Sequence, residues 1–383
     1  MSKQQVSSLD GVRGIAIVMV LLIHLELFRA VPGTSPIMQH VRDLFWSGWS
    51  GVDLFFVLSG FLITGILLDA AGGKHYFQTF YMRRILRIFP LYYFVVTAAL
   101  LSTVLVLPWT AVKVTPGMLP TRTGWFSYLL YFQNWRLPDQ LLGHFWSLGV
   151  EEQFYLMWPL CVYSFSREKL LQLCIVTFFA CLALRFLLVH QNPNGSPLIM
   201  ANTFTRMDTL LVGAFCALVI RDQRLLNYIR PFMPIVAISA TCGMLAIYYV
   251  AKEIRSRAYF TQSIGYSLLA MGYGTLVLWA YLQNGTGQPL DRVLQQRWLR
   301  AFGKYSYGIY VYHHPIFLMG AFLFGGVKIA GYNVIPSVPY CIGLVGTTFV
   351  VAWASYELYE KRFLKMKERF GPEPGAMRAS QAS

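Results

Sequence analysis

Arg13 and His24 lie eleven residues apart in the first apolar stretch of a 383-residue chain. On a helix that separation is three turns plus about 20°, so the two share a face about 16.5 Å apart along the axis. A guanidinium holds anions and a neutral imidazole accepts protons, so one face would carry an anion grip and a general base. Asp10 precedes Arg13 by one turn and is spaced to pair with it. An imidazole in an apolar helix is equally a hydrogen-bonded core residue, and both readings of His24 stay open at this point.

Five more places carry polar groups inside apolar runs, where each is costly unless it is paired or faces a cavity. Asp53, Ser59 and Thr64 interrupt the second run, and Gly60 and Gly65 there allow close helix approach. Arg84 and Arg87 stand one turn apart, a spacing that suits a phosphate and also plain charge at a membrane surface. Ser147, Glu151 and Tyr155 follow i, i+4, i+8 and share a helix face. Glu151 there would orient an imidazole, bind a sugar hydroxyl, or sit among headgroups. Arg206 and Asp208 read either as an internal ion pair or as part of an outer pocket. His313 and His314 are adjacent, so they are expected on different sides of a helix as a poor metal pair, with Pro315 kinking the helix just beyond them.

Several chemistries have no signature. The chain holds no G-x-x-x-x-G-K-[ST] phosphate loop, no H-E-x-x-H, no G-x-S-x-G elbow and no dinucleotide fingerprint. The six cysteines (Cys161, Cys174, Cys181, Cys216, Cys242, Cys341) fall in apolar runs without a C-x-x-C pair and read as small core residues. No metal site is expected.

The elements that would position these groups follow from composition. Hydrophobic residues are 56% of the chain and charged ones 13%, about half the charge of a soluble domain, with 28 Phe, 23 Tyr and 10 Trp. That pattern predicts an all-α, polytopic membrane protein. Spans are expected near 14–28, 50–69, 85–107, 144–163, 171–190, 203–220, 231–250, 259–283, 305–326 and 336–360, ten helices of about 20 residues each. The first reads as a retained helix and not a cleaved signal peptide, since it holds His24 and Glu26 and lacks a small-residue cleavage site. The aromatic stretch 125–136 reads as interfacial or re-entrant. Residues 1–363 would form the membrane domain and 364–383 a short polar cytoplasmic tail, with no soluble domain appended. The net charge of +15 comes without a dense basic tract, so nucleic acid is not an expected partner. With the N-terminus inside, 21 Lys and Arg fall on inner segments and 10 on outer ones, with Arg185 inside a span. This asymmetry puts both termini in the cytoplasm.

The set of motifs resembles the membrane-bound acyltransferase 3 family. Ser8-Leu-Asp-Gly-Val-Arg-Gly14 with the Arg13–His24 spacing is similar to that family's opening. So are Phe55-Phe-Val-Leu-Ser-Gly-Phe-Leu-Ile63, Arg84 with Arg87, and Phe145-Trp-Ser-Leu-Gly-Val-Glu-Glu-Gln-Phe-Tyr155. Arg206-Met-Asp208 and Ser306-Tyr-Gly-Ile-Tyr-Val-Tyr-His-His-Pro315 complete six motifs, in order, from residue 8 to about 362. Two positions depart from the pattern: Gly149 stands where many members have serine, and His314 follows the matching His313. A C-terminal esterase-like domain, fused in some members, has no counterpart, so the resemblance is to stand-alone members.

The resemblance implies a bacterial inner-membrane O-acyltransferase that modifies surface glycans or related acceptors. It implies an acyl-CoA donor, by default acetyl-CoA, entering from the cytoplasm. Arg84, Arg87 and Arg13 would meet the donor's phosphates, and the pantetheine arm would bring the thioester to His24 as general base. Glu151 would orient His24 or meet the acceptor. Asp10, Ser147, Arg206, Asp208 and His313 would contribute to substrate binding. The partners would be a glycan or lipid-linked sugar and the surrounding membrane lipids. A proton-coupled transporter, or an inactive sensor or accessory protein with the same fold, are the competing readings. Missing two-half symmetry weighs against the first, and retention of Arg13 and His24 against the second.

Overall fold

A computed structural model describes residues 6–25, 40, 43, 45–106, 117–251, 255–325, 328–329, 332–333 and 337–370. Its helices in chain order are α1 (Ser7–His24), α2 (Gly51–Ala70), α3 (Tyr76–Leu101), α4 (Arg122–Leu129), α5 (Trp146–Ser164) and α6 (Arg167–Gln191). They continue as α7 (Pro197–Ala201), α8 (Thr203–Val219), α9 (Gln223–Ile229), α10 (Met233–Ala251) and α11 (Tyr266–Leu282). The last are α12 (Pro289–Leu294), α13 (Arg297–Lys304), α14 (Ser306–Phe324), α15 (Val338–Ser355) and α16 (Lys361–Met366). A two-residue antiparallel ladder, Lys328–Ile329 against Tyr332–Asn333, is the strand content among the described residues.

Seven helical segments among the described residues are long and apolar enough to cross a membrane: Ser7–His24, Ser47–Ala70, Tyr76–Leu105, Arg167–Gln191, Gln223–Ala251, Thr261–Leu282 and Val338–Phe370. The other three expected spans are helices too, α5, α8 and α14, of 19, 17 and 19 residues. These three carry Glu151, Arg206, Asp208, His313 and His314, and those polar groups set them apart from the lipid-facing helices. The stretch 125–136 forms no span. It folds as α4 and a 3₁₀ turn, Gln133–Trp135, with Tyr131 in the left-handed region at φ 57° between them.

Burial separates an inner bundle from a lipid-facing shell. The windows of Ser7–His24, Ser47–Ala70 and Thr261–Leu282 are 56–61% buried, whereas those of Gln223–Ala251 and Val338–Phe370 are 17% buried. Ile235, Ile238, Leu245 and Val250 on α10 and Ile175, Val176, Phe179 and Leu187 on α6 are exposed, as lipid-facing side chains would be. Cys174, Cys181, Cys216 and Cys341 are buried, but Cys242 is exposed on α10, which corrects its reading as a core residue.

Close packing at the centre depends on glycine. On α2, a Cβ at Gly60 would lie 1.8 Å from the Leu210 carbonyl oxygen, and one at Gly213 on α8 would lie 1.9 Å from that of Val57. The two backbones touch there, as small residues permit within membranes. Helix α1 begins seven residues before the expected span, so Asp10 and Arg13 are inside it. Its first turn is satisfied from a distance: the Ser8 N–H donates to Asn284 Oδ1 at 3.0 Å. At the other chain end, helical structure runs through Phe370. Residues 364–370 of the expected tail are therefore helical, and its remainder lies outside the described residues.

Candidate active site

Two cavities lie at the heart of the bundle, and both are lined by Val52 and Tyr310. The first, about 290 Å³, is lined by Arg13 from α1, Arg84 and Arg87 from α3, Ser147, Glu151, Glu152 and Tyr155 from α5, and Lys367. Four cations face two carboxylates, and the apolar wall is built from Leu58, Leu62, Ile63, Ile66 and Ile88. Arg13 is held by Asp10 at 2.7 Å, as the one-turn spacing suggests. Asp10 itself lines neither cavity.

The face shared by Ser147, Glu151 and Tyr155 turns into this cavity. Ser59 Oγ donates to Glu151 Oε1, and Tyr155 OH donates to Ser59 Oγ at 3.1 Å. Glu151 is thus engaged on the arginine side and is not the partner that orients His24. Ser147 Oγ lies 2.5 Å from the Tyr310 hydroxyl, which donates to the His144 carbonyl at 2.6 Å.

The second cavity, about 300 Å³, is lined by His24, His144 and His314, by Trp49, Trp146 and Tyr266, and by Asp53 and Arg206. His24 Nδ1 lies 2.8 Å from the Val20 carbonyl oxygen, one turn back on α1. A carbonyl only accepts, so Nδ1 carries the hydrogen and Nε2 keeps the lone pair of the neutral ring. The tautomer is the one a base needs. Around it, His313 and His314 centroids lie 4.8 and 5.3 Å from His24, and His144 lies 5.0 Å from each of those two.

His313 and His314 do leave their helix in different directions, yet both rings lie against His24 and His144. About 100° apart on α14, they straddle the same pair of imidazoles. His313 is buried behind the wall with Nδ1 on the Tyr310 carbonyl at 2.7 Å, and it is His314 that reaches the cavity. Among the described residues, no group of three His, Cys, Asp or Glu side chains converges as a metal site would.

Arg206 and Asp208 are not partners of each other. Two positions apart, they point to opposite sides of α8. Arg206 pairs with Asp53 across to α2, and its guanidinium lies 3.7 Å from the centroid of Tyr266. Asp208 lines neither cavity. It accepts from Arg185 of α6 at 2.7 Å and from Ser267 of α11 at 3.0 Å, with all three buried. Arg185 also donates to the Thr205 carbonyl at 2.6 Å, so this network ties three helices together.

Residues outside the motifs complete the walls. Lys367 is one, and its only sequence signal is a basic run after the last apolar segment. Arg257 lines the imidazole cavity, on a loop held by Gly195, whose φ is 74° and whose Cβ would lie 1.8 Å from the Arg257 carbonyl oxygen. Gly149, the departure from serine, faces Asn134, whose Oδ1 would stand 2.9 Å from a Cβ there. Asn134 is buried and bonds Thr203 and Gln153, both at 2.8 Å, so the 125–136 stretch is locked onto α5 and α8.

The fold and site define an α-helical membrane protein with a cation-lined cavity backed against an imidazole cavity. The model of the acyltransferase domain matches residues 6–357, and the chain belongs to that family, acyltransferase 3. It is 29% identical over 332 residues, 82% of this chain and 49% of the relative, to YrhL of Bacillus subtilis, provisionally named a peptidoglycan O-acetyltransferase. It is 27% identical over 94% of its length and 56% of the relative's to the peptidoglycan O-acetyltransferase OatA of Listeria monocytogenes. To the O-acetyltransferase OatA of Staphylococcus aureus it is 24% identical, over 82% of this chain and 51% of the relative. The chain spans about half the length of these relatives. No solved structure matches it.

Proposed function

We propose that this protein is a membrane O-acetyltransferase that moves an acetyl group from acetyl-CoA to a hydroxyl of a glycan acceptor, with peptidoglycan the favoured acceptor. The observation that carries the reading is the pair of cavities with Val52 and Tyr310 as their common wall. A lining that combines four cations with aliphatic side chains suits a phosphate-bearing donor with a long uncharged arm. The named activities of the relatives support O-acetyl transfer, with peptidoglycan the acceptor named for two of them.

In this reading Arg13, Arg84, Arg87 and Lys367 hold the donor's phosphates, and the thioester reaches past Tyr310 toward His24. His24 Nε2 takes the acceptor hydroxyl's proton while the hydroxyl oxygen attacks the thioester carbonyl carbon. The carbon–sulfur bond then breaks, and the imidazolium returns the proton to the departing thiolate. Positioning, and exclusion of water from the thioester by the buried walls, supplies much of the rest. The donor is proposed to enter from the cytoplasm and the acceptor from the opposite side of a bacterial inner membrane.

The proposed topology is ten spans with both termini inside. Helices of 17–19 residues are about 26–28 Å long, close to the hydrocarbon thickness, so α5, α8 and α14 are long enough to cross. Arg13 and Lys367, near opposite ends of the chain, line one cavity, which supports placing both termini on the same side. Liquid chromatography and mass spectrometry of cell-wall fragments from a deletion strain and its complemented parent test the function. Acetyl esters present only with the gene support it, and identical fragments overturn it.

A further inference from the structure

The imidazole cavity has a second polar centre that the transfer chemistry does not use. Asp53 and Arg206 line it, are 0% and 1% exposed, and pair through one carboxylate oxygen and one guanidinium nitrogen. That single bond leaves Asp53 Oδ2, Arg206 Nε and Arg206 Nη1 buried without a hydrogen-bond partner. Buried polar atoms of charged groups are costly to leave unmet, so a fork of one free acceptor and two free donors is suited to a ligand.

The chemistry of the fork selects that ligand. An ester or thioester carbonyl only accepts and would leave Asp53 Oδ2 unmet. A phosphate would meet the same carboxylate with like charge. A hydroxyl both donates and accepts, so it can give its hydrogen to Asp53 Oδ2 and receive one from Arg206. Trp49 and Trp146 line the same cavity, and flat aromatic faces offer apolar area to the carbon-bound hydrogens of a sugar ring.

We propose that the Asp53–Arg206 pair recognises a second hydroxyl of the acceptor, while the first lies at His24. The ligand class is therefore a polyhydroxylated sugar and not a simple alcohol. This inference rests on the reading of the imidazole cavity as the acceptor side.

The experiment measures equilibrium binding of chitotetraose to the full-length protein purified in a sugar-free detergent, read by quenching of tryptophan fluorescence. Acetyl transfer to the same sugar is assayed separately from acetyl-CoA. Two variants are compared with the wild type. Arg206→Lys keeps the charge but loses the fork, and the double variant Asp53→Asn with Arg206→Gln removes both charges together so that no buried ion is stranded. Folded state is checked by gel filtration, and one monodisperse variant suffices. The expected result is saturable binding to the wild type, weakened at least tenfold in the variants. Permethylated chitotetraose, which cannot donate, should bind the wild type at least tenfold more weakly than the parent sugar. Equal binding of chitotetraose to wild type and variants overturns the proposal, as does absence of saturable binding to the wild type. Weakened binding with no acetyl transfer by the wild type leaves the hydroxyl site standing and overturns the activity reading instead.

Discussion

The hydroxyl of Tyr310 lies 2.5 Å from Ser147 Oγ, on the wall that the arginine cavity shares with the imidazole cavity. On the proposed donor path, a thioester carried from Arg84 and Arg87 toward His24 would pass this ring. Tyr310→Trp, which adds bulk at the shared wall, is expected to lower kcat severalfold with little change in the KM for acetyl-CoA. Tyr310→Phe keeps the ring and is expected to retain most activity. A raised donor KM with unchanged kcat in Tyr310→Trp would move the donor path elsewhere.

The cations of the proposed donor site should act through their charge. Arg84→Ala and Arg87→Ala should each raise the acetyl-CoA concentration needed, since a hydrogen bond to a charged group contributes roughly 1.5–3 kcal/mol. Lysine should rescue only in part where the contact is bidentate. Lys367→Ala should act in the same direction. Donor titrations of correctly inserted variants check this, and unchanged donor dependence reduces the cations to topology signals.

Asp208 and Arg185 are expected to matter for stability and not for substrate. Removing one partner of a buried pair costs roughly 3–5 kcal/mol, so Asp208→Asn should lower the thermal unfolding midpoint sharply. The double variant Arg185→Met with Asp208→Leu should recover part of that loss. Thermal scans in detergent read the effect, and a kcat or KM defect without a stability defect would return Asp208 to the substrate site.

Topology can be read directly. Reporter fusions after residue 370 and within 110–140 should report inside and outside respectively. Reversed or identical signals would contradict a ten-span arrangement with both ends in the cytoplasm.

Local relationships were legible in the sequence and distant ones were not, for physical reasons. Asp10 with Arg13, and the common face of Ser147, Glu151 and Tyr155, arise from helical spacing alone, and both are present. The partners of Arg206 and Asp208 come from α2 and α6, and no spacing within α8 reveals which neighbour faces which side. His24 finds its partner in the Val20 backbone, and a carbonyl has no residue identity to read. Lys367 lies beyond the last apolar run, where composition suggests a tail. Of the three helices without the mark of a span, α5 and α14 carry Glu151, Glu152, His313 and His314, polar groups that dilute the apolar signal, and α8 is short at 17 residues.

Central to the proposed mechanism is His24 Nε2 as the group that takes the acceptor's proton. His24→Gln keeps a hydrogen-bonding amide but cannot accept a proton at neutral pH, so it separates packing from chemistry. The decisive measurement is the initial rate of acetyl transfer from acetyl-CoA to glycan by His24→Gln and wild type, at matched membrane levels. Loss of a general base predicts a fall of roughly 10²–10⁴-fold, and the wild-type rate itself should decline on acidification as the imidazole protonates. Transfer by His24→Gln within a few-fold of wild type would contradict the assignment and make this histidine a packing residue.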